Sequence, residues 1–478
     1  MKNGKDRLPA RIRRVKDYSS NSSQHVLFPN CTRNSFNRFL ARAARSHADA
    51  FRVIFASTVL GTLLFWRLRL AFAIGGVGVL VALGVLSLNL LVDFISVDVL
   101  VFLVSMMIIV ESAEKTGVFR GLTSYLAKRT GYEPKKLLLI FMMLGALMSA
   151  LIDEVTAILV LGVMVLNLCR GLGLSPVPYL VSTVFAINIG SAATLFGNPI
   201  GVLIAFRAGL TFEDFVRWAT PVAVLALGVA TPILLLYYRK QLVRDRGSIK
   251  NNNGIQKLEA GNNGLTELNP KLLVFVGVLV LIALHSRLET ALGLDKNTLL
   301  LAIPFMGAAI ILGLEKDNAK HLVESGVDWW TLLFFIFLFA KAGTLQQTGV
   351  TSLAASGLVE TTGGNYPLLL FVMILGVMFL SGTIDNVPLI AAVIPVVFHL
   401  ESLGMEVFPF WWALLFAGSF GGNLTLVGST ANIVALGLLE KRGEAGITFK
   451  DWFKVGFVVT LATTLLSYLL ILLMNPAR

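Results

Sequence analysis

Three carboxylates stand inside apolar sequence, where ionised groups are expensive. Asp153 and Glu154 separate the apolar runs 137–150 and 155–168, and Asp385 with Asn386 separates 371–380 from 389–399. A carboxylate at the middle of a bilayer costs about 2.5–3.5 kcal/mol on insertion scales, so it is either compensated or functional. Low-dielectric surroundings favour a protonated carboxyl and a bound cation favours an ionised one, so such a group can trade H+ for Na+. The plainer alternative is a carboxylate that only caps the returning helix. The acidic points are also copies of one another. Ser149-Ala150-Leu151-Ile152-Asp153-Glu154-Val155 recurs as Ser381-Gly382-Thr383-Ile384-Asp385-Asn386-Val387.

Each copy is followed by a polar break in apolar sequence, Gly190-Ser191-Ala192-Ala193-Thr194-Leu195-Phe196-Gly197-Asn198-Pro199 and Gly421-Gly422-Asn423-Leu424-Thr425-Leu426-Val427-Gly428-Ser429-Thr430. Gly permits unusual backbone angles, and Pro removes a donor and fixes the restart of a helix. Freed carbonyls and neutral side-chain oxygens suit a hard cation, while half-helix N-termini suit an anion. The candidate binding residues are therefore Asp153, Glu154, Thr156, Asn188, Ser191, Thr194 and Asn198 in the first copy. In the second they are Ser381, Thr383, Asp385, Asn386, Asn423, Thr425, Ser429, Thr430 and Asn432. Close helix packing is the competing explanation for the small residues. Lys341 reads as a counter-ion for an Asp, as part of an anion site, or as a side chain snorkelling to the interface. Glu111 and Glu114 lie near the end of the segment matching that of Lys341. Trp66, His285, Trp329 and Trp330 fall near segment ends, where interfacial anchoring is the ordinary role.

The elements that must position these residues are membrane helices. The chain has 478 residues, 56% hydrophobic and 14% charged, against about 25% charged in soluble proteins. Runs such as 70–92, 99–110, 221–238 and 457–474 approach spanning length. The net charge of +12 sits in the N-terminal tail and in loops, which is an orientation signal and not a nucleic-acid surface. Cys31 and Cys169 are the only cysteines, and support neither a disulfide framework nor a metal centre. No nucleotide-binding loop and no nucleophile-and-base arrangement is present, so neither an enzyme nor an ATP-driven pump is indicated. No cofactor is expected beyond Na+ or H+ as the coupling ion.

Four regions follow. Residues 1–50 form a basic, disordered tail, which either touches anionic lipid or resembles an organelle transit peptide. It contains two Asn-X-Ser/Thr triplets, at Asn21 and Asn30. Residues 51–238 form a first transmembrane repeat, 239–271 a hydrophilic linker without a core, and 272–474 a second repeat. Val97-Asp98 answers Val327-Asp328, Thr116-Gly117-Val118 answers Thr348-Gly349-Val350, and Thr211-Phe212-Glu213-Asp214 answers Thr448-Phe449-Lys450-Asp451. Arg120, Lys128, Arg129, Lys135 and Lys136 lie in 117–136, whereas the matching 349–366 has no Lys or Arg. The positive-inside rule then places these loops on opposite faces, which makes the repeats inverted, with about five crossings each. Whether 53–66 spans, and on which side the N-terminus lies, stays open at this level.

At these motifs the sequence resembles the ion transporter superfamily that contains ArsB-type arsenite carriers, NhaD-type sodium/proton antiporters, the melanosomal P protein and citrate-transporter-like permeases. The likeness covers roughly residues 51–474. It rests on Ser381-Gly382-Thr383-Ile384-Asp385-Asn386-Val387-Pro388-Leu389-Ile390-Ala391-Ala392 and on Gly421-Gly422-Asn423-Leu424-Thr425-Leu426-Val427-Gly428-Ser429-Thr430-Ala431-Asn432. It implies an all-α fold with re-entrant hairpins and broken helices, elevator movement against scaffold helices, and a homodimer. By the same likeness Asp153, Glu154, Asp385 and Asn386 lie at hairpin tips. Two departures stand out. Gly201 occupies the place of an expected Asn, and the first tip reads Asp-Glu where relatives often carry Asn.

The expected function is secondary transport in a multi-pass membrane protein, at the cell membrane or, given the basic tail, an organelle. Sodium/proton antiport leads, because the extra Glu favours a cation over a bare anion. The alternative is H+- or Na+-coupled movement of an anion or oxyacid such as arsenite, citrate or a dicarboxylate. A channel or receptor is a third class, poorly served by the short tail and linker.

Overall fold

The computed structural model describes residues 61, 68–250, 269–347, 349–441 and 447–474. The tail 1–50, the run 53–66 apart from Gly61, and the linker residues 251–268 lie outside this set. Among the described residues there are helices and no strands. The first series is α1 (Arg69–Ala82), α2 (Leu88–Phe94), α3 (Val97–Lys115), α4 (Val118–Arg129), α5 (Pro134–Leu151), α6 (Glu154–Leu172), α7 (Pro176–Gly190), α8 (Pro199–Ala208) and α9 (Phe212–Tyr237). Helix α10 (Arg239–Lys250) follows. The second series is α11 (Pro270–Leu292), α12 (Thr298–Glu315), α13 (Ala319–Gly326), α14 (Trp329–Gln347), α15 (Val350–Thr361), α16 (Tyr366–Ser381), α17 (Asn386–Ser402), α18 (Phe408–Gly421), α19 (Thr430–Lys441) and α20 (Phe449–Met474).

Six helical stretches are long and apolar enough to cross a membrane, or eight if the bent pairs α2–α3 and α14–α15 each make one span. The two bends are 51° and 62°. Helices α4 and α15 both start from a glycine in the left-handed region, Gly117 at φ 77° and Gly349 at φ 73°. Arms of the first hairpin, α5 and α6, have 18 and 19 residues and pass the length test themselves. They outrun the apolar stretches 137–150 and 155–168 because Lys135 and Lys136 fit the first turn of α5 and Arg170 the last turn of α6. Such side chains keep apolar stems along the helix and carry their charge outward.

The linker departs from expectation at its start. Residues 239–250 form α10, which is not coreless: Leu242 and Asp245 are buried, and Tyr179 on α7 donates its hydroxyl to Asp245 at 3.0 Å. Burial pushes the Asp245 carboxyl up from its ordinary value.

The innermost elements are the two broken helices. Helix α7 buries every residue but Val177, and α18 every residue but Phe408. Helices such as α11 instead leave Leu273, Val276 and Val280 on the outside. Each broken helix is pressed onto its hairpin at a glycine. A Cβ on Gly190 would lie 2.3 Å from the Ala146 backbone, and one on Gly421 would lie 2.7 Å from the Met378 carbonyl. Paired hydrogen bonds fasten the same contact. Ser149 donates to the Ile187 carbonyl at 2.9 Å, and Ser381 to the Gly418 carbonyl at 2.6 Å. Thr194 donates to the Ala150 carbonyl, and Thr425 to the Gly382 carbonyl. Beyond each break, Thr211 with Asp214 and Thr448 with Asp451 cap the next helix in the same way. Those four carbonyls and their hydroxyl partners tie each hairpin tip to the break beside it.

Candidate ion site at the hairpin tips

Asp153 is the N-cap of α6. Its Oδ1 accepts the Val155 and Thr156 amides at 2.8 and 2.9 Å. Its φ of 142° is one that L side chains rarely adopt, and such strain costs of order 1–3 kcal/mol. Asp385 caps α17 at φ −48° and accepts the Val387 amide at 3.4 Å. Capping is therefore real at both tips, but it occupies only Oδ1 of each carboxylate.

Glu154, 3% exposed, bridges the two breaks. Ser191 of the first and Ser429 of the second each place a hydroxyl oxygen 3.4 Å from one of its carboxylate oxygens. Asn188 is the hub behind it. Its Nδ2 donates to Asn423 Oδ1 at 2.8 Å and Asn432 Oδ1 at 3.0 Å, and its Oδ1 accepts from Ser429 at 3.0 Å. Asn198 donates to Ser191 at 2.8 Å and Ser419 at 2.9 Å, while Asn432 donates to the Gly422 and Thr425 carbonyls. This buried network takes members from both halves of the sequence. A fully connected polar network in a low dielectric holds its members in one arrangement.

A cavity of about 510 Å³ reaches both tips. Glu111, Asp153, Glu154, Glu324, Asp328 and Asp385 line it, together with Thr156, Asn198, Asn386 and Thr430, and among the described residues no basic side chain does. Lys115 and Lys320 pair with Glu111 and Glu324 at 3.3 and 3.7 Å. Asp153, Glu154 and Asp328 form no ion pair with another described residue. The Asn386 Nδ2, in a residue 1% exposed, has no hydrogen-bond partner among the described residues.

Of the residues singled out in the sequence, Asp153, Glu154, Thr156, Asn198, Asp385, Asn386 and Thr430 meet at the cavity. Asn188, Ser191, Asn423, Ser429 and Asn432 form the network behind it. Thr194, Ser381 and Thr425 spend their hydroxyls on the clips between tips and breaks. Thr383 is exposed, and its hydroxyl returns to the Leu380 carbonyl at 2.9 Å. Lys341 is buried and donates to the Phe72 carbonyl at 3.2 Å, so it neither snorkels nor pairs with Asp385. His285 is not an interfacial anchor: it is fully buried, its Nδ1 2.7 Å from the Ile282 carbonyl. The basic partner of Asp385 is Arg69, absent from the sequence candidates, with Nη1 3.3 Å from Oδ2. Ser419, Asp328 and Thr331 were also not singled out as binding residues, and Ser149 entered only as part of the repeated motif.

A smaller cavity, about 100 Å³, is lined by Asp93, Phe94, Ser96, Phe339, Ala342, Gly343 and Ala391, together with Arg207, which donates to Ser96. It draws on the segment before α3, on α14 and on α17, the counterparts of the segment before α14, of α3 and of α6 at the large cavity, which α14 also lines.

The family model described as citrate transporter (CitMHS) matches residues 55–417 and 298–476. The chain belongs to the citrate transporter family. Among the family's relatives, an uncharacterized transporter of Mycobacterium tuberculosis (strain H37Rv) is 36% identical over 377 residues, with 77% of this chain and 84% of that protein covered. The P protein of Homo sapiens is 26% identical over 492 residues, covering 84% of this chain and 57% of that protein. The crystal structure of the Alcanivorax borkumensis YdaH transporter is 14% identical, with a TM-score of 0.49, and covers 80% of this chain and 86% of that one. This citrate transporter family member is thus a multi-pass, all-helical membrane protein and a secondary transporter, as the resemblance at the tips and breaks implied.

Proposed function

We propose that the chain exchanges a monovalent cation for protons, with Na+ against H+ as the pair. The observation that carries this reading is the acid-lined cavity ending on Asp153, Glu154 and Asp385. Carboxylates in a walled cleft concentrate cations and repel anions. At the end of the cleft, Glu154 lies beside the Ser191 and Ser429 hydroxyls, and Asp153, Asp385, Asn198, Asn386 and Thr430 line the same space, which is a hard-cation donor set. The same carboxylates carry the protons in the return half of the cycle. Hairpins α5–α6 and α16–α17 with broken helices α7–α8 and α18–α19 act as the moving unit, and the remaining helices act as scaffold. The large cavity serves as the route to the site.

The test is purified protein in proteoliposomes with a pH dye inside and an outward or inward Na+ gradient. Proton movement that follows the Na+ gradient supports exchange, and a silent dye overturns it. The family's description favours one competing reading, H+- or Na+-coupled transport of citrate or a related anion, for which the unpartnered Asn386 amide is a ready donor. Uptake of labelled citrate without Na+-driven proton movement would select it.

A further inference from the structure

The contact between Arg69 and Asp385 joins α1 to the tip of the second hairpin, and the two ends are held differently. On the α1 side the guanidinium is anchored to α14: Nη2 donates to Thr331 Oγ1 at 3.1 Å, and the group lies over the Phe334 ring, 5.2 Å from its centroid. Thr331 in turn donates to Asp328 at 2.6 Å. On the hairpin side Nη1 meets Asp385 Oδ2 at 3.3 Å, with side-chain exposures of 7% and 4%. The other charged groups facing this tip are Asp153 and Glu154 on the first hairpin and Asp328 just before α14. Asp153 pairs with no basic residue among those described, so the two tips differ. Beside Asp385, Asn386 lines the same cavity, and its buried Nδ2 has no partner among the described residues, so this tip is not complete as it stands.

We propose that Arg69 is a resident cation that fills Asp385 when no transported ion is bound, and so latches the second hairpin to α1 and α14. The inference rests on the exchange reading for what displaces Arg69, and on the moving-unit reading for what the latch restrains. A buried carboxylate left without a partner is strongly unfavourable, and so is a buried guanidinium. An arriving cation, or a proton, takes over Asp385 while Arg69 keeps Thr331 and the Phe334 face. Asp385 is compensated before and after the exchange, and only the link between hairpin and scaffold is lost. An empty carrier therefore stays latched and a loaded one is free to move, which is the condition for exchange without leak. Arg69 is a positioning residue acting through Asp385.

The experiment uses the full chain with Cys31 and Cys169 replaced by Ser and a Thr383→Cys reporter at the exposed side of the same tip. Right-side-out and inside-out vesicles without Na+ are treated with a membrane-impermeant maleimide. The parent labels from one face. Arg69→Gln should raise labelling from the other face by about tenfold, Asp385→Asn should do the same, and the double variant should add nothing further. Arg69→Lys, which keeps the charge, should restore most of the parent pattern, which a merely structural loss would not do. Labelling of Arg69→Gln that matches the parent overturns the latch. Wild-type proteoliposomes assayed in parallel for Na+-driven proton movement separate the two ideas. A silent dye together with Arg69-dependent labelling leaves the latch standing and removes Na+/H+ exchange alone.

Discussion

Asp153 combines two demands that pull against each other. Its carboxylate caps α6 and faces the cavity, yet its backbone sits at φ 142°, where glycine is the residue without penalty. Asp153→Gly removes strain of about 1–3 kcal/mol and gives up a cap worth only a few tenths against Gly. The purified variant should therefore unfold at a higher temperature than the wild type while losing ion-coupled transport. Asp153→Ala keeps the strain and loses the cap, so it should unfold earlier, by about 0.5–2 kcal/mol of stability. If both substitutions lower the unfolding temperature alike, strain at the tip is not stored there. Glu154→Gln removes the charge at nearly constant shape. The amide oxygen can still accept from Ser191, and the NH2 can donate to the oxygen of Ser429, whose hydrogen goes to Asn188, so the protein should fold and insert normally. Loss of a full charge from the donor set should raise the Na+ concentration for half-maximal exchange by at least about tenfold, equivalent to 1.4 kcal/mol. An unchanged Na+ dependence in Glu154→Gln would remove this residue from the ion path.

At the scale of elements, the hairpin and its broken helix behave as one piece because their backbones touch. Gly190→Ala would drive a methyl group to 2.3 Å from Ala146, and neither side of that contact is a flexible side chain. Overpacking of this kind costs about 1–3 kcal/mol, so Gly190→Ala should lower the unfolding temperature and abolish transport. Gly421→Ala, with its closest atom at 2.7 Å, should be milder. Gly376→Ala, on α16 with nothing within 4 Å, should fold and transport as the wild type, and serves as the control. These tips and breaks are legible in the sequence because an Asp, Asn or Gly-Gly pair inside an apolar run is costly enough to need a reason. What the sequence does not show is direction. Thr194 and Thr425 sit in the breaks as expected, but their hydroxyls turn back to hairpin carbonyls. Arg69 follows Trp66-Arg67-Leu68 and reads as one more loop cation; nothing local says that it reaches inward to a residue 316 positions away. His285 misleads for the same reason, since a His near the end of an apolar helix looks interfacial until the packing of α11 is known. Residues 239–250 are polar enough to read as linker, and only contact with α7 shows that one face of α10 is covered.

For the whole molecule, the decisive property is the relation between its two halves. The two cavities draw in part on corresponding elements, α3 and α6 at one and α14 and α17 at the other, and one holds about 510 Å³ while the other holds about 100 Å³. If the halves enter the membrane in opposite senses, corresponding elements lie on opposite faces, and one wide and one narrow cavity amount to a single state of an alternating carrier. If they enter in the same sense, both cavities open to one side and no alternation follows. Loop charge favours the first arrangement, with Lys128 and Arg129 at the end of α4 and no cation at the matching end of α15. Exposed positions allow the arrangement to be read directly: Lys128 and Glu360 end matching helices, and Asp93 and Glu324 precede the matching helices α3 and α14. Single cysteines at these positions, in the chain lacking Cys31 and Cys169, should divide into two pairs against an impermeant maleimide. Lys128→Cys should label from the face opposite to Glu360→Cys, and Asp93→Cys from the face opposite to Glu324→Cys. Adding Na+ should then move reactivity between Asp93→Cys and Glu324→Cys in opposite directions, since widening one route narrows the other. Labelling of all four from one face would leave the acidic cavity in place but strip it of any partner across the membrane, and a carrier cycle could not be built on it.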